Sequence, residues 1–141
     1  MGRILAIDYG RKRTGLAVTD TMQIIAGGLC TVRTCDVEAY LKDYLSRETV
    51  DLFVVGQPKT MNNEPSDNMP YIEAFVKRLR KILPDTPVEY FDERFTSVMA
   101  HRAMLDAGLK KMKRRDKELV DEISAVLILQ GFMEKKRLLS L

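Results

Sequence analysis

The feature that most constrains the fold is a change of hydrophobic period near residue 33. Before it, short apolar runs follow one another with a two-residue alternation. After it, helical stripes and short apolar runs take turns. Ile4-Leu5-Ala6-Ile7 is an apolar run ending at Asp8, Thr14 to Thr19 alternates, and residues 24–33 suit a third strand in which Gly27-Gly28 marks a bulge or bend. Short connections make these three an antiparallel meander. Asp36 is placed to cap a helix through DVEAYLKDYLSRE, with Val37, Tyr40, Leu41, Tyr44 and Leu45 on one face. Asp51 to Gly56 is the continuous apolar run of a central strand covered on both faces. Residues 57–66 read as loop, with two prolines, two asparagines and no period. The next helix has Pro70 in its first turn and Ile72, Phe75, Val76, Leu79, Ile82 and Leu83 as its buried stripe. Val88 to Phe91 is a short strand. Thr96 or Ser97 caps a helix ending at Gly108, residues 109–117 form a basic linker, and a last helix runs from near Asp116 through Met133. Ile123 to Leu129 is apolar almost all round, so this helix is expected to be largely buried.

The order β-β-β-α-β-α-β-α-α predicts an α/β fold. Its mixed five-stranded sheet joins a three-strand antiparallel meander to parallel strands, with helices on both faces. At 141 residues the chain is expected to be a single domain, residues 1–141, too short for a two-lobed fold. A domain of this size buries roughly 68–70% of its unfolded surface, so a core can form without disulfides or structural metal. In open α/β sheets, functional groups gather at the carboxyl ends of central strands.

Cys30 and Cys35 are five residues apart and His101 is the lone histidine, a set that cannot complete a tetrahedral zinc site. Two reduced, packed thiols in a reducing cytosol are the expectation. No apolar run approaches the roughly 20 residues of a membrane span, and MGRILAIDYG has no apolar signal-peptide region, so a cytoplasmic protein is expected. The 23 Lys+Arg exceed the 20 Asp+Glu by three, a small excess whose distribution matters more than its size. Lys77, Arg78, Arg80 and Lys81 form one cluster; Lys110, Lys111, Lys113, Arg114, Arg115 and Lys117 form another. Either alone reads as a solvated face, but two in one small domain point to a polyanionic partner.

Three acidic groups stand at element ends. Asp8 directly follows an apolar run, where a one-sided loss of solvent costs free energy unless the carboxylate is paired, protonated or metal-bound; alternatively it is a turn residue before Tyr9-Gly10. Asp92-Glu93-Arg94 follows the last strand, where it suits either a site or a helix cap. Asp121 heads the stripe Ala125, Ile128, Phe132, and Glu122 heads Val126, Leu129, Met133; the alternative is that both face solvent. Together the three clusters suggest a carboxylate site for Mg²⁺ or Mn²⁺, hard cations that take oxygen ligands. Two such ions can stabilise the attacking and leaving oxygens of phosphodiester cleavage. No GxSxG elbow or histidine cluster supports a serine triad or zinc hydrolysis.

DYGRKRTGLAV, VVGQP, DERFTS and DEISAVLIL occur in that order, and with them the chain resembles the YqgF family, also called the RuvX or pre-16S rRNA nuclease family, over Met1 to about Glu134. The resemblance implies an RNase H-like fold, distantly shared with Holliday-junction resolvases, and a bacterial cytoplasmic protein of small-subunit rRNA 5′-end maturation. By position, it implies that Asp8, Glu93 and Asp121 are the catalytic, metal-binding set, and that Arg13, Arg94 and Thr96 occupy motif positions. On this reading Arg13 and Arg94 hold phosphates near the cut, and Lys110, Lys111, Lys113, Arg114 and Arg115 track the backbone. Tyr9 and Tyr71 are the aromatics available to stack on bases. With no Trp, recognition by RNA shape is expected. Two departures from the family pattern stand out: TMNNEPS after Pro58 lacks the usual Asp-Gly, and Ser124 replaces a common Ala.

The expected partner is structured RNA, with ribosomal particles or branched DNA as further candidates, for a monomer or weak homodimer. Rival readings are a four-way-junction resolvase using the same carboxylates, a phosphate-binding ATPase module, and a non-catalytic ribosome-biogenesis factor. A resolvase needs two symmetric sites and hence a dimer, for which Leu138, Leu139 and Leu141 offer apolar groups. The ATPase reading needs a second lobe that the chain lacks. The binding-module reading requires that nucleic-acid binding survive loss of the carboxylates.

Overall fold

The opening apolar run does not stop at Asp8 but carries it, and Tyr9, inside the first strand. The computed structural model describes residues 2–58, 67–92 and 117–139, with side chains described from 122 onward in the last segment. The meander is β1 (Arg3–Tyr9), β2 (Arg13–Thr19) and β3 (Ala26–Arg33). β1 and β2 pair antiparallel from Leu5 with Val18 to Tyr9 with Thr14. On the next ladder Leu16 faces Cys30 and Ala17 faces Gly28, so Leu29 is the extra residue of a bulge, beside the glycine pair expected to mark it. The β2–β3 turn is built on Asp20, whose carboxylate accepts the backbone N–H groups of Met22 at 3.1 Å, Ile24 at 2.8 Å and Ile25 at 2.8 Å. Those bonds, led by Ile25, hold its carboxyl below the ordinary range.

A 3₁₀ turn, Thr34–Asp36, leads into α1 (Val37–Arg47). Asp36 stands at the N-cap but makes no side-chain cap bond, because the preceding turn already sets it near helical geometry at φ −104, ψ −4. β4 (Val50–Gln57), α2 (Met69–Ile82), β5 (Val88–Asp92) and α3 (Lys117–Leu139) follow. α3 continues six residues past Met133, its expected end. The sheet order is β3-β2-β1-β4-β5, with β4 parallel to both β1 and β5. The short strand at 88–92 and the run at 50–57 are therefore neighbours, and β1 is the central strand.

Alternation along β1 separates two cores. Leu5, Ile7 and Tyr9 join Val37, Leu41 and Tyr44 of α1 and Met69, Ile72, Phe75, Val76 and Leu79 of α2. Ile4 and Ala6 face the other way, with Ala17, Val54 and Phe91, against Ala125, Ile128 and Leu129 of α3. Helices thus cover both faces, as the pattern predicts. Some details differ. Of the run 123–129, Ala125, Ile128 and Leu129 are fully buried and the rest is half-buried, because a helix lying on one sheet buries one stripe. Ile82 is 36% exposed at the end of α2. Cys30 is half-buried near Tyr40, and burial pushes its thiol up. Cys35, expected to be packed, is exposed on the 3₁₀ turn. Among the described residues no helix is long and apolar enough to cross a membrane. The loop at 59–66, the helix read over 96–108 and the linker up to residue 116 lie outside the described residues.

Candidate active site

Strand alternation decides where Asp8 points. Ile7 and Tyr9 enter the core under α1 and α2, so Asp8, between them, lies on the α3 side of β1 with Ile4 and Ala6. It is half-buried. Its neighbour across the antiparallel ladder is Gly15, and Gly15 in turn faces Thr31 on β3. On the other flank Ile7 is level with Val55, so one residue further brings Gly56 alongside Asp8. A carboxylate near the end of the central strand is thus bordered on both sides by residues without side chains. Both glycines are buried, so they form a close-packed cradle that a side chain on either would crowd. A partly desolvated oxygen donor near a strand end is the kind of group that suits a hard divalent cation.

The surroundings of Asp8 are fixed by bonds to its own strand end. Tyr9 is 9% exposed and stacks on Phe75 of α2, ring centroids 4.6 Å apart. It is therefore core, and the expectation that it stacks on bases is corrected: the strand's period turns it inward. The side-chain amide of Asn68, at the start of α2, donates to the Tyr9 carbonyl at 3.0 Å. Thr34 donates its hydroxyl to the Gly10 carbonyl at 2.6 Å, and its backbone N–H bonds to the Lys12 carbonyl at 3.0 Å. Tyr71 is 50% exposed, with the Arg11 guanidinium 4.5 Å over its ring. It is the aromatic still open to solvent at this end of the sheet.

Arg13 is half-buried, opens β2 on the Asp8 side of the sheet, and sits directly opposite Arg33 of β3. Asp92 closes β5 level with Gln57, but Tyr90 and Phe91 enter opposite cores, which puts Asp92 on the side of Tyr90 and not that of Asp8. Glu122 reaches over Gly28: a Cβ built on that glycine would lie 2.9 Å from Glu122 Cγ. β3 is two strands from β1, about 10 Å across the sheet, so Glu122 belongs to a different place from Asp8. Asp121 lies within α3, four residues before the buried Ala125, and its side chain is outside the described residues. Glu93, Arg94, Thr96, Lys110, Lys111, Lys113, Arg114 and Arg115 also lie outside them. Among the described residues no three His, Cys, Asp or Glu side chains gather into a metal-binding group.

Sequence reasoning missed three cations at this end of the sheet. Arg11, Lys12 and Arg33 line a depression of about 450 Å³ together with Arg13 and Cys35. Arg11 and Lys12 adjoin Arg13 in sequence and were legible as a basic turn. Arg33 carried no signal, because only the β2–β3 register brings it to Arg13.

A profile of the RuvX family, described as Holliday junction resolvase, matches residues 2–135. A Parabacteroides distasonis protein named as a pre-16S rRNA nuclease is 66% identical over 97% of this chain and 98% of its own length. A Bacteroides fragilis protein of the same name is 62% identical over 98% and 100%. Among solved structures, T. thermophilus RuvC in complex with Holliday junction substrate aligns over 96% of this chain and 97% of its own, at 17% identity and a TM-score of 0.61. That likeness shows the fold, which is RNase H-like.

Proposed function

We propose that this chain, which belongs to the RuvX family, is a nuclease that hydrolyses nucleic-acid phosphodiester bonds in the 5′-end maturation of pre-16S rRNA. The observation that carries the reading is Asp8: a half-buried carboxylate near the end of the central strand, flanked by Gly15 and Gly56. Near-full-length relatives at 66% and 62% identity, named for that processing step, support RNA over a DNA junction as substrate. On this reading residues 1–141 form one nuclease domain, and a monomer suffices because trimming one strand end needs one site. Its place of work is the cytoplasm, on pre-rRNA free or within ribosomal particles.

Asp8, with Glu93 and Asp121 as family positions, would hold one or two Mg²⁺ or Mn²⁺ ions. Bound there, such ions supply a water of lowered pKa and offset charge on the leaving 3′ oxygen. The protein's own contribution is placement. The Tyr9–Phe75 stack and the Asn68 bond fix the backbone immediately after Asp8, so its oxygens need little reorganisation. Arg13 binds a phosphate near the cut, and Arg94 and Thr96 another. The basic positions 110, 111, 113, 114 and 115 hold the backbone further out.

The test is a cleavage assay with Mg²⁺ or Mn²⁺, comparing wild type with Asp8→Asn. Substrates are a 5′-extended small-subunit rRNA precursor, an unstructured RNA and a four-way DNA junction. Asp8→Asn keeps the shape and removes the charge, so precursor cutting should fall by ~10²-fold or more with the melting temperature unchanged. Cutting of the junction alone would transfer the reading to a resolvase. Equal RNA binding with no cutting by either protein would leave a binding module.

A further inference from the structure

Four cations meet where β1, β2 and β3 end. Arg11 and Lys12 form the β1–β2 turn, Arg13 opens β2, and Arg33 closes β3. Arg13 and Arg33 are direct partners across the antiparallel ladder. Like charges placed opposite one another destabilise a strand pair, and Arg33 is the exposed member of this one. The described residues lining the depression between them include no carboxylate. Arg11, Lys12 and Arg33 are exposed.

The platform is also built rather than incidental. Thr34, next to Arg33, ties the strand end to the turn through Gly10 and Lys12, and its hydroxyl lies 2.9 Å from that of Thr14. Arg11 is held against Tyr71 and donates to the Asp67 carbonyl at 3.5 Å. These bonds fix the backbone under the cations without consuming the Lys12 or Arg33 side chains. Position completes the argument. Gly15 is level with Asp8, and Arg13 is two residues further along β2 on the same face, about 7 Å. Arg33 lies one strand beyond.

The geometry points to a subsite for the phosphodiester backbone of a nucleic-acid strand, formed by Arg33, Lys12 and Arg11 beside Arg13, which carries the substrate from Asp8 outward across the ends of β2 and β3. Three guanidinium forks and one ammonium, spread over neighbouring strand ends, fit a row of phosphates better than one compact anion. The path it takes rests on the nuclease reading of Asp8; the existence of the phosphate site does not.

The test is binding of a labelled single-stranded 20-nucleotide RNA in EDTA, by fluorescence anisotropy across a salt series. Removing two phosphate contacts in Lys12→Ala/Arg33→Ala should flatten the plot of log K against log salt by about 1.4 and weaken binding about 25-fold at 0.1 M salt. Arg33→Glu should weaken it further, and Arg33→Lys should restore most of the slope. Lys42→Ala/Lys135→Ala, exposed on α1 and α3 and outside the basic clusters at 77–81 and 110–117, is the control for general charge. Thermal melts of every variant check the fold. The inference is overturned if the double variant keeps the wild-type slope, if the charge control flattens it equally, or if wild type does not bind the RNA. If wild type binds but never cuts, and the double variant still loses its slope, the nuclease reading falls and the phosphate site stands.

Discussion

On the proposed reading, two glycines flank the carboxylate that does the chemistry, Asp8. Directly opposed residues of an antiparallel pair hold their Cβ atoms only about 4.5–5.5 Å apart, so any side chain at 15 would stand against the Asp8 carboxylate. Gly15→Val should therefore cut RNA-processing activity by at least about tenfold. Stability should fall by about 1–3 kcal/mol, since Gly15 is buried and the added methyls overpack its surroundings. Turnover on the rRNA precursor and a urea melt on the same preparation would separate the two, and full activity with valine would refute the cradle. At the same scale, local residue chemistry alone does not place Asp8. Asp8, Tyr9 and Gly10 look alike as a turn, yet the strand runs through Tyr9. Alternation then sends the ring to Phe75 and the carboxylate to the opposite face.

Elements hold those residues still. Phe75 is fully buried and its ring carries Tyr9, so α2 anchors the end of β1. Phe75→Ala should cost about 3–5 kcal/mol, read as a lower urea midpoint, and activity should fall further than the folded fraction does. A variant whose activity tracks its folded fraction would show that the stack does not position Asp8. The β2–β3 turn makes a different demand. Asp20 is ionised more readily in the folded turn than in the unfolded chain. The stability it contributes is therefore fully present above the ordinary Asp value of 3.8 and is lost as pH falls through the lower folded value. Asp20→Ala should melt below wild type at neutral pH, and the gap should close as the pH drops beneath 3.8. A gap that stays constant with pH would assign the turn's stability to something other than the carboxylate.

Across the whole molecule, the C-terminal turn of α3 projects from the sheet: Leu138 is 64% and Leu139 78% exposed. Leu138→Ala/Leu139→Ala should change stability by no more than ~0.5 kcal/mol. Analytical ultracentrifugation of the same variant tells whether these leucines hold a second copy, as a resolvase would require; an unchanged sedimentation profile is the expectation. What the sequence determined by itself was whatever depends on local period. A two-residue repeat places strands at 3–33, and a 3.6-residue stripe places Ile72, Phe75, Val76 and Leu79 on one helix face. The order of elements then leaves few topologies once short connections and right-handed crossovers are imposed. Ordered motifs likewise exposed the family. Tertiary structure alone decided the rest, because strand pairing joins residues far apart in the chain and register is a relation between strands, not a property of one. Helix packing carried Glu122 over Gly28. Register set Gly15 and Gly56 beside Asp8, turned Asp92 to the other face, and brought Arg33 to Arg13 across 20 residues of sequence. A one-residue slip would have reversed each of those placements.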